Sequence, residues 1–433
     1  MSISGRGRAG PTRRGLVRAA AGIAAAGSAL TVADVAGAVV EARTGGGTGG
    51  EQPCEPFWGE HQSGITTPAQ GHSYFAALDL QTARREDVVK MLRAWTVAAA
   101  HLTAGQTAAP IGRDMTIPGP DTGEALGLPP ARLTVTFGFG AGLFIKDGKD
   151  RYGLAAQRPP ALVDLPRFNG DQLIATRTGG DLSLQACADD PQVAFHAVRQ
   201  LARLAEGTAA VRWAQAGYTT QPDSQGTPRN LMGFKDGTSN PAVADPAAMA
   251  RFVWVGEEGP DWMKGGSYVV ARRIRIALEH WDRMKIAFQE QTFGRHKYSG
   301  APLGGKSEFD PLDLNANDKD GNPVIPDSAH VRLAAAASND GAQILRRPYS
   351  YNDGVDFTAE RWPPWRQGME YDAGLFFICY QRDPRTGFIK IFDNMAKLDM
   401  LNQFVTHTGG GLFACPGGVA KAEFIGQRLF ESG

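Results

Sequence analysis

The apolar residues divide most of the chain into strand-like and helix-like stretches. His72–Leu80 alternates as a strand, and 85–102 places Val88, Val89, Leu92, Trp95 and Ala99 at helical spacing. Leu133, Val135, Phe137 and Phe139 alternate with Thr134, Thr136 and Gly138, which predicts a half-buried strand. Residues 181–187 predict a further strand. Residues 191–210 predict a long amphipathic helix, with Val193, Val198, Leu201, Leu204 and Ala205 near one stripe. This order fits a ferredoxin-like α+β unit. The later chain repeats it loosely, with a strand at 266–276, a helix at 278–288, a core strand at 374–381 and a helix at 396–404.

A length of 433 residues is enough for two domains. Lys plus Arg and Asp plus Glu each number 45, so no strong field points to nucleic acid. Cys54, Cys187, Cys379 and Cys415 form no CxxC or CxxCH, which argues against covalent haem attachment and a four-cysteine zinc site. Spacing leaves their pairing open, and Cys379 sits in an apolar run as a small buried residue would. The run at 138–142 lacks the G-x-G-x-x-G spacing of a dinucleotide loop.

Residues 1–42 have the order of an export signal. Arg13 and Arg14 form a twin-arginine pair, a weakly hydrophobic Ala/Gly run follows, and small residues near Ala38 and Ala42 offer cleavage sites. The run is too short and small-sided for a good membrane span. This predicts a periplasmic, cell-envelope or extracellular protein with no stable span once the signal is removed. Residues 43–55 read as a flexible linker, 56–222 as a first domain and 223–433 as a second.

Three segments carry chemistry. Gly233-Phe234-Lys235-Asp236-Gly237-Thr238-Ser239-Asn240 sets an acid beside a glycine that can take backbone angles closed to other residues. Ser328-Ala329-His330-Val331-Arg332 and Ile344-Leu345-Arg346-Arg347-Pro348-Tyr349 follow. Together they resemble the dye-decolourising peroxidases, haem enzymes marked by G-x-x-D-G, a later H-[IV]-R histidine and a distal arginine. The likeness covers nearly the whole mature chain and extends to exported members associated with bacterial iron uptake.

The resemblance implies an α+β fold of two ferredoxin-like halves around a β-sheet core, with one non-covalent haem b mainly in the C-terminal half. It implies His330 as the axial iron ligand, and Asp399, with Asp393 as fallback, as the carboxylate on its other nitrogen. It implies Asp236 as the acid–base group for hydrogen peroxide and Arg346 as the fixed charge beside it, Arg347 being the alternative. Leu375 and Phe377 match residues shielding the distal pocket, Arg295 and Arg332 match propionate contacts, and Thr238 and Asn240 line the haem edge. The partners are peroxide and a bulky reducing substrate, with Tyr349, Tyr351, Trp362 and Trp365 open as surface relays. Iron release from haem and non-catalytic haem carriage are the competing readings, and a homo-oligomer is left open. His196 reads as a surface or core histidine. The acidic stretch 310–326 lacks the glycine and glutamate of an EF-hand and reads as a solvated loop.

Overall fold

The computed structural model describes residues 54–112, 114–220, 226–360 and 366–431. The signal at 1–42 and nearly all of the linker lie outside them. Nine strands and five principal helices organise the described chain. The strands are β1 (His72–Leu80), β2 (Thr134–Phe139), β3 (Leu182–Ala188), β4 (Ala209–Tyr218), β5 (Ser267–Ile276), β6 (Leu345–Arg346), β7 (Tyr349–Glu360), β8 (Arg366–Gln381) and β9 (Val405–Cys415). The helices are α1 (Arg85–Thr103), α2 (Pro191–Leu204), α3 (Ile286–Phe293), α4 (His330–Ala334) and α5 (Phe388–Leu398).

All strand pairs are antiparallel, in the order β5-β9-β2-β3-β1-β4-β7-β8-β6, and a β5–β8 pairing closes the sheet into a barrel. The first four strands and the last five form the sheets of two ferredoxin-like halves. The halves are sewn together at Phe139–Ala414 and Tyr218–Ser350.

Closure changes what alternation means. In β1, Phe75 and Ala77 pack inside the barrel with Trp213, Tyr349, Phe376 and Phe413. Ala76 and Leu78 pack outside it, in the cluster that holds α1 and α2. Both faces are therefore buried. β2, expected to be half-buried, is buried at every position. Its polar side faces the barrel interior, where Thr136 donates to the Ser63 carbonyl at 2.7 Å and Thr134 accepts from Gln70 at 3.2 Å. Hydrogen bonding of this kind makes buried hydroxyls tolerable.

Several boundaries differ from the sequence expectation. The helix expected to run to residue 210 ends at Leu204, and Ala209–Tyr218 is a strand. Its start is set by Asp190, whose carboxylate accepts from the N–H groups of Gln192 and Val193, with Pro191 at the first turn. The expected 278–288 helix is two pieces, Leu278–Trp281 and α3. The expected 396–404 helix begins earlier, as α5, and breaks at Asp399. There the carboxylate caps a short 3₁₀ turn by accepting from Leu401 at 2.8 Å.

One ion pair ties the halves together internally. Asp171, from the loop before β3, accepts from Arg272 of β5, and both side chains are almost fully buried. Burial pushes the Asp171 carboxyl above its ordinary value even with the guanidinium beside it. Removing one partner leaves the other charge buried and unpaired. Asp171→Ala should therefore lower unfolding stability by about 3–5 kcal/mol, and Asp171→Ala with Arg272→Met should recover most of that loss. Urea unfolding of the single and double variants checks this.

Candidate active site

A cavity of about 300 Å³ lies between α4 and α5 and the face of the sheet carrying Ile274, Ile276, Leu375 and Phe377. Phe293, Phe388, Ile391, Phe392 and Met395 complete apolar walls. Two polar pairs enter it from separate elements.

The first pair is His330 and Asp399. His330 opens α4, and its Nδ1 lies 2.7 Å from Asp399 Oδ2. Asp399 is nearly fully buried, and its other oxygen is held by the Leu401 N–H. An Nδ1 proton shared with this carboxylate leaves Nε2 as the lone-pair nitrogen of a ring that lines the cavity. Asp393, the fallback, is an exposed partner of Lys397.

The second pair is Asp236 and Arg346, with Arg346 Nη1 donating to Asp236 Oδ1 at 3.1 Å. Gly233 and Gly237 on either side of Asp236 have φ of +84° and +102°, a region that favours glycine, so the motif's two glycines shape this loop. Arg346 sits at the end of the two-residue β6, paired against Cys379. Asn240 accepts from the Arg346 backbone N–H at 3.1 Å and from its Nε at 3.3 Å, and donates to its carbonyl at 2.7 Å. Asn240 thus positions the arginine and is not itself a wall of the cavity. Arg347 points to the other face, where it donates to Thr67 and Gln70 and is buried in the barrel.

Thr238, Arg295, Leu375 and Phe377 line the cavity. Arg332 does not: its guanidinium donates to the Ile325 carbonyl and lies 3.7 Å from Asp327. Arg295 is buried, and its Nη1 donates to the Gly300 and Glu308 carbonyls. Its pKa is lowered, first by burial and then by the neighbouring Arg346 charge, with Glu308 opposing. Both guanidinium groups face the cavity, Arg346 paired there with Asp236.

Two groups escaped the sequence reading. Glu308 accepts from Thr227 and Thr238 and pairs with Lys235 at 3.3 Å, fastening the Asp236 loop from below. Burial raises its carboxyl, but these bonds outweigh that and hold it below its ordinary range. His407, on β9, lines the cavity and its Nδ1 accepts from Arg272 Nε at 3.2 Å. No motif marks either residue; only folding brings them here. The proposed relays Tyr349 and Tyr351 are buried, and burial pushes both phenols up. The Tyr351 hydroxyl has no hydrogen-bond partner among the described residues. The Tyr349 hydroxyl donates to Cys187 Sγ at 3.4 Å, and the carboxylates that act on Tyr351, Asp372 and Asp353, are engaged by Arg273. Trp362 and Trp365 lie outside the described residues.

His196 is a buried histidine set between Asp121 and Glu124. Cys187, Cys379 and Cys415 are buried free thiols. No helix among the described residues is long and apolar enough to cross a membrane.

Residues 62–219 match the Dyp-type peroxidase N-terminal family model and residues 227–420 the C-terminal one. The chain belongs to the Dyp-type peroxidase family. Within it, a dye-decolorizing peroxidase of Thermobifida fusca is 40% identical over 385 residues, covering 86% of this chain and 84% of that protein. A deferrochelatase of Escherichia coli K12 is 36% identical over 387 residues, covering 87% of each. The solved structure of ferric DtpA from Streptomyces lividans superposes with a TM-score of 0.78 at 41% identity, over 88% of this chain and 98% of that one. This Dyp-type peroxidase is accordingly a haem-peroxidase-class enzyme with the family's two-part fold.

His407 yields a pH test. Burial, and then the Arg272 charge, hold its pKa well below the ordinary 6.5. Below pH 6.5 the unfolded chain binds a proton that the folded imidazole refuses, so stability falls as the pH falls. His407→Asn keeps an acceptor for Arg272 and removes this titration. Between about pH 6.5 and 4.5 the wild-type unfolding free energy should drop more steeply than the variant's, by up to about 1.4 kcal/mol per pH unit, and its melting temperature should fall with it. Asp171 titrates in both proteins and cancels in the difference. Equal slopes in parallel thermal melts would show instead that His407 takes up its proton in the folded state.

Proposed function

We propose that this chain binds one haem b without a covalent link and reduces hydrogen peroxide at the expense of bulky one-electron donors. The observation that carries this reading is the Asp236–Arg346 pair in the same apolar cavity as the His330–Asp399 pair. The residues suit the cofactor. The apolar walls would accept the macrocycle, His330 Nε2 would ligate its iron, and Arg295 would offer a buried cation to an acid side chain. When bound, haem supplies an iron that accepts oxidising equivalents from peroxide and passes them singly to donors.

The chain's own groups handle protons and charge. Asp236 takes the proton from one peroxide oxygen and returns it to the other, which leaves as water. Arg346 holds a fixed positive charge 3.1 Å from that carboxylate, facing the negative charge that develops as the O–O bond lengthens. Asn240 spares this charge any reorganisation by fixing both the backbone and Nε of Arg346. Asp399 keeps the His330 ring in one tautomer and makes it a stronger donor.

Release of iron from haem uses the same cavity and is supported by the likeness to the E. coli deferrochelatase. An assay for iron-free porphyrin after incubation with haem separates it from peroxidase turnover. A carrier without turnover has no use for an Asp236–Arg346 pair, which weighs against it. Arg13 and Arg14 support export by the twin-arginine route, with haem inserted before the folded protein crosses.

Asp236→Asn and Arg346→Leu should both retain haem, and at least one should slow the reaction with peroxide by roughly tenfold or more in stopped-flow mixing. Near-wild-type rates in both would remove the pair from the mechanism. His330→Ala should lose haem or its full-strength Soret band. Replacing Arg13 and Arg14 with Lys should leave the precursor in the cytoplasm, as read by cell fractionation.

A further inference from the structure

The outer part of the β7–β8 hairpin has its polarity reversed. Val355 stands opposite Tyr371 and Phe357 opposite Met369, so the four side chains share one face. They are 54%, 50%, 61% and 66% exposed, respectively. Three acids of the hairpin, Asp353, Glu370 and Asp372, turn instead toward the body of the protein. There Glu370 meets Arg275 at 2.9 Å, and Asp353 and Asp372 each meet Arg273 at 2.8 Å. A hairpin with one wet face ordinarily turns its polar side outward.

This face continues the wall of the cavity. Along β8, Met369 and Tyr371 alternate in step with Leu375 and Phe377, which line the cavity. Tyr371 is four residues from Leu375, about 13 Å along the strand. The shelf exposes on the order of 400 Å², taking about 200 Å² for each large side chain. That is half of the ~800 Å² each partner contributes to a standard protein interface, and about enough for one flat ring system. It carries no charge, and its two rings and thioether suit contact with another π face.

We propose that this shelf docks the flat face of an aromatic electron donor too large to enter the cavity. The inference rests on the peroxidase reading and names where its bulky donor sits. The test titrates the haem-loaded protein with a neutral anthraquinone dye by calorimetry, without peroxide. Steady-state kinetics are then measured with that dye and with hydroquinone. Phe357→Ser and Met369→Ser should each raise the dye's Kd and KM by roughly three- to tenfold, the effect of losing one ring contact. Its kcat, and both constants for hydroquinone, should stay unchanged. Tyr371→Phe should keep the dye affinity. An unchanged Kd in both serine variants overturns the proposal. So does a wild-type dimer in sedimentation that both variants convert to monomer, since the shelf then covers itself. Dye that binds at the shelf of a protein unable to reduce peroxide would sink the peroxidase reading and leave the docking site standing.

Discussion

Asn240 engages both backbone hydrogen-bonding groups of Arg346 and also its Nε, so one amide sets the place and the aim of the guanidinium that pairs with Asp236. Arg346 belongs to a strand of two residues, too short to hold its geometry by pairing alone. The amide is fixed in turn by the Asp236 loop, where Gly237 supplies the left-handed turn and Asn240 N–H closes onto the Gly237 carbonyl. Acid, arginine and loop are therefore one unit, and loosening any member moves the other two.

That unit works because the cavity around it is apolar. In such surroundings an unpartnered charge is costly, and each charged group here has a stated partner. Asp399 is held by His330 and Leu401, Glu308 by two threonines and Lys235, and Arg295 by two carbonyls. Arg295 and Arg346 face the same space; burial lowers the Arg295 pKa, Glu308 opposes that shift and the Arg346 charge adds to it.

The two halves divide the labour. The cavity is lined from the second half, where short helices and long loops leave room between helix layer and sheet. The first half packs two long helices tightly on its sheet, with Trp95 Nε1 donating to the Leu201 carbonyl at 2.7 Å. It supports the cavity wall from behind: Asp171 holds Arg272, which holds His407, the Gln172 N–H donates to the His407 carbonyl, and Phe168 packs on Phe388 and Phe392. The barrel thus lends rigidity to the site from a half that contributes no wall.

Sequence alone determined the parts governed by local rules. Period-two and helical patterns located β1, α1 and β5, because burial of one face imposes a period on the chain. The glycines around Asp236 and the spacing of His330 from Arg346 marked the site, because motif residues sit where backbone geometry admits few substitutes. Tertiary structure decided the rest. Whether Arg346 or Arg347 faces the cavity depended on strand pairing, since neighbours on a strand point to opposite faces. Asp399 over Asp393 depended on where α5 breaks. β9 was not legible, because closure of the barrel buries both its faces and erases the contrast that a pattern needs. Glu308, Arg272 and His407 are ordinary residues in sequence, and only contacts across 70 or more positions make them part of the site.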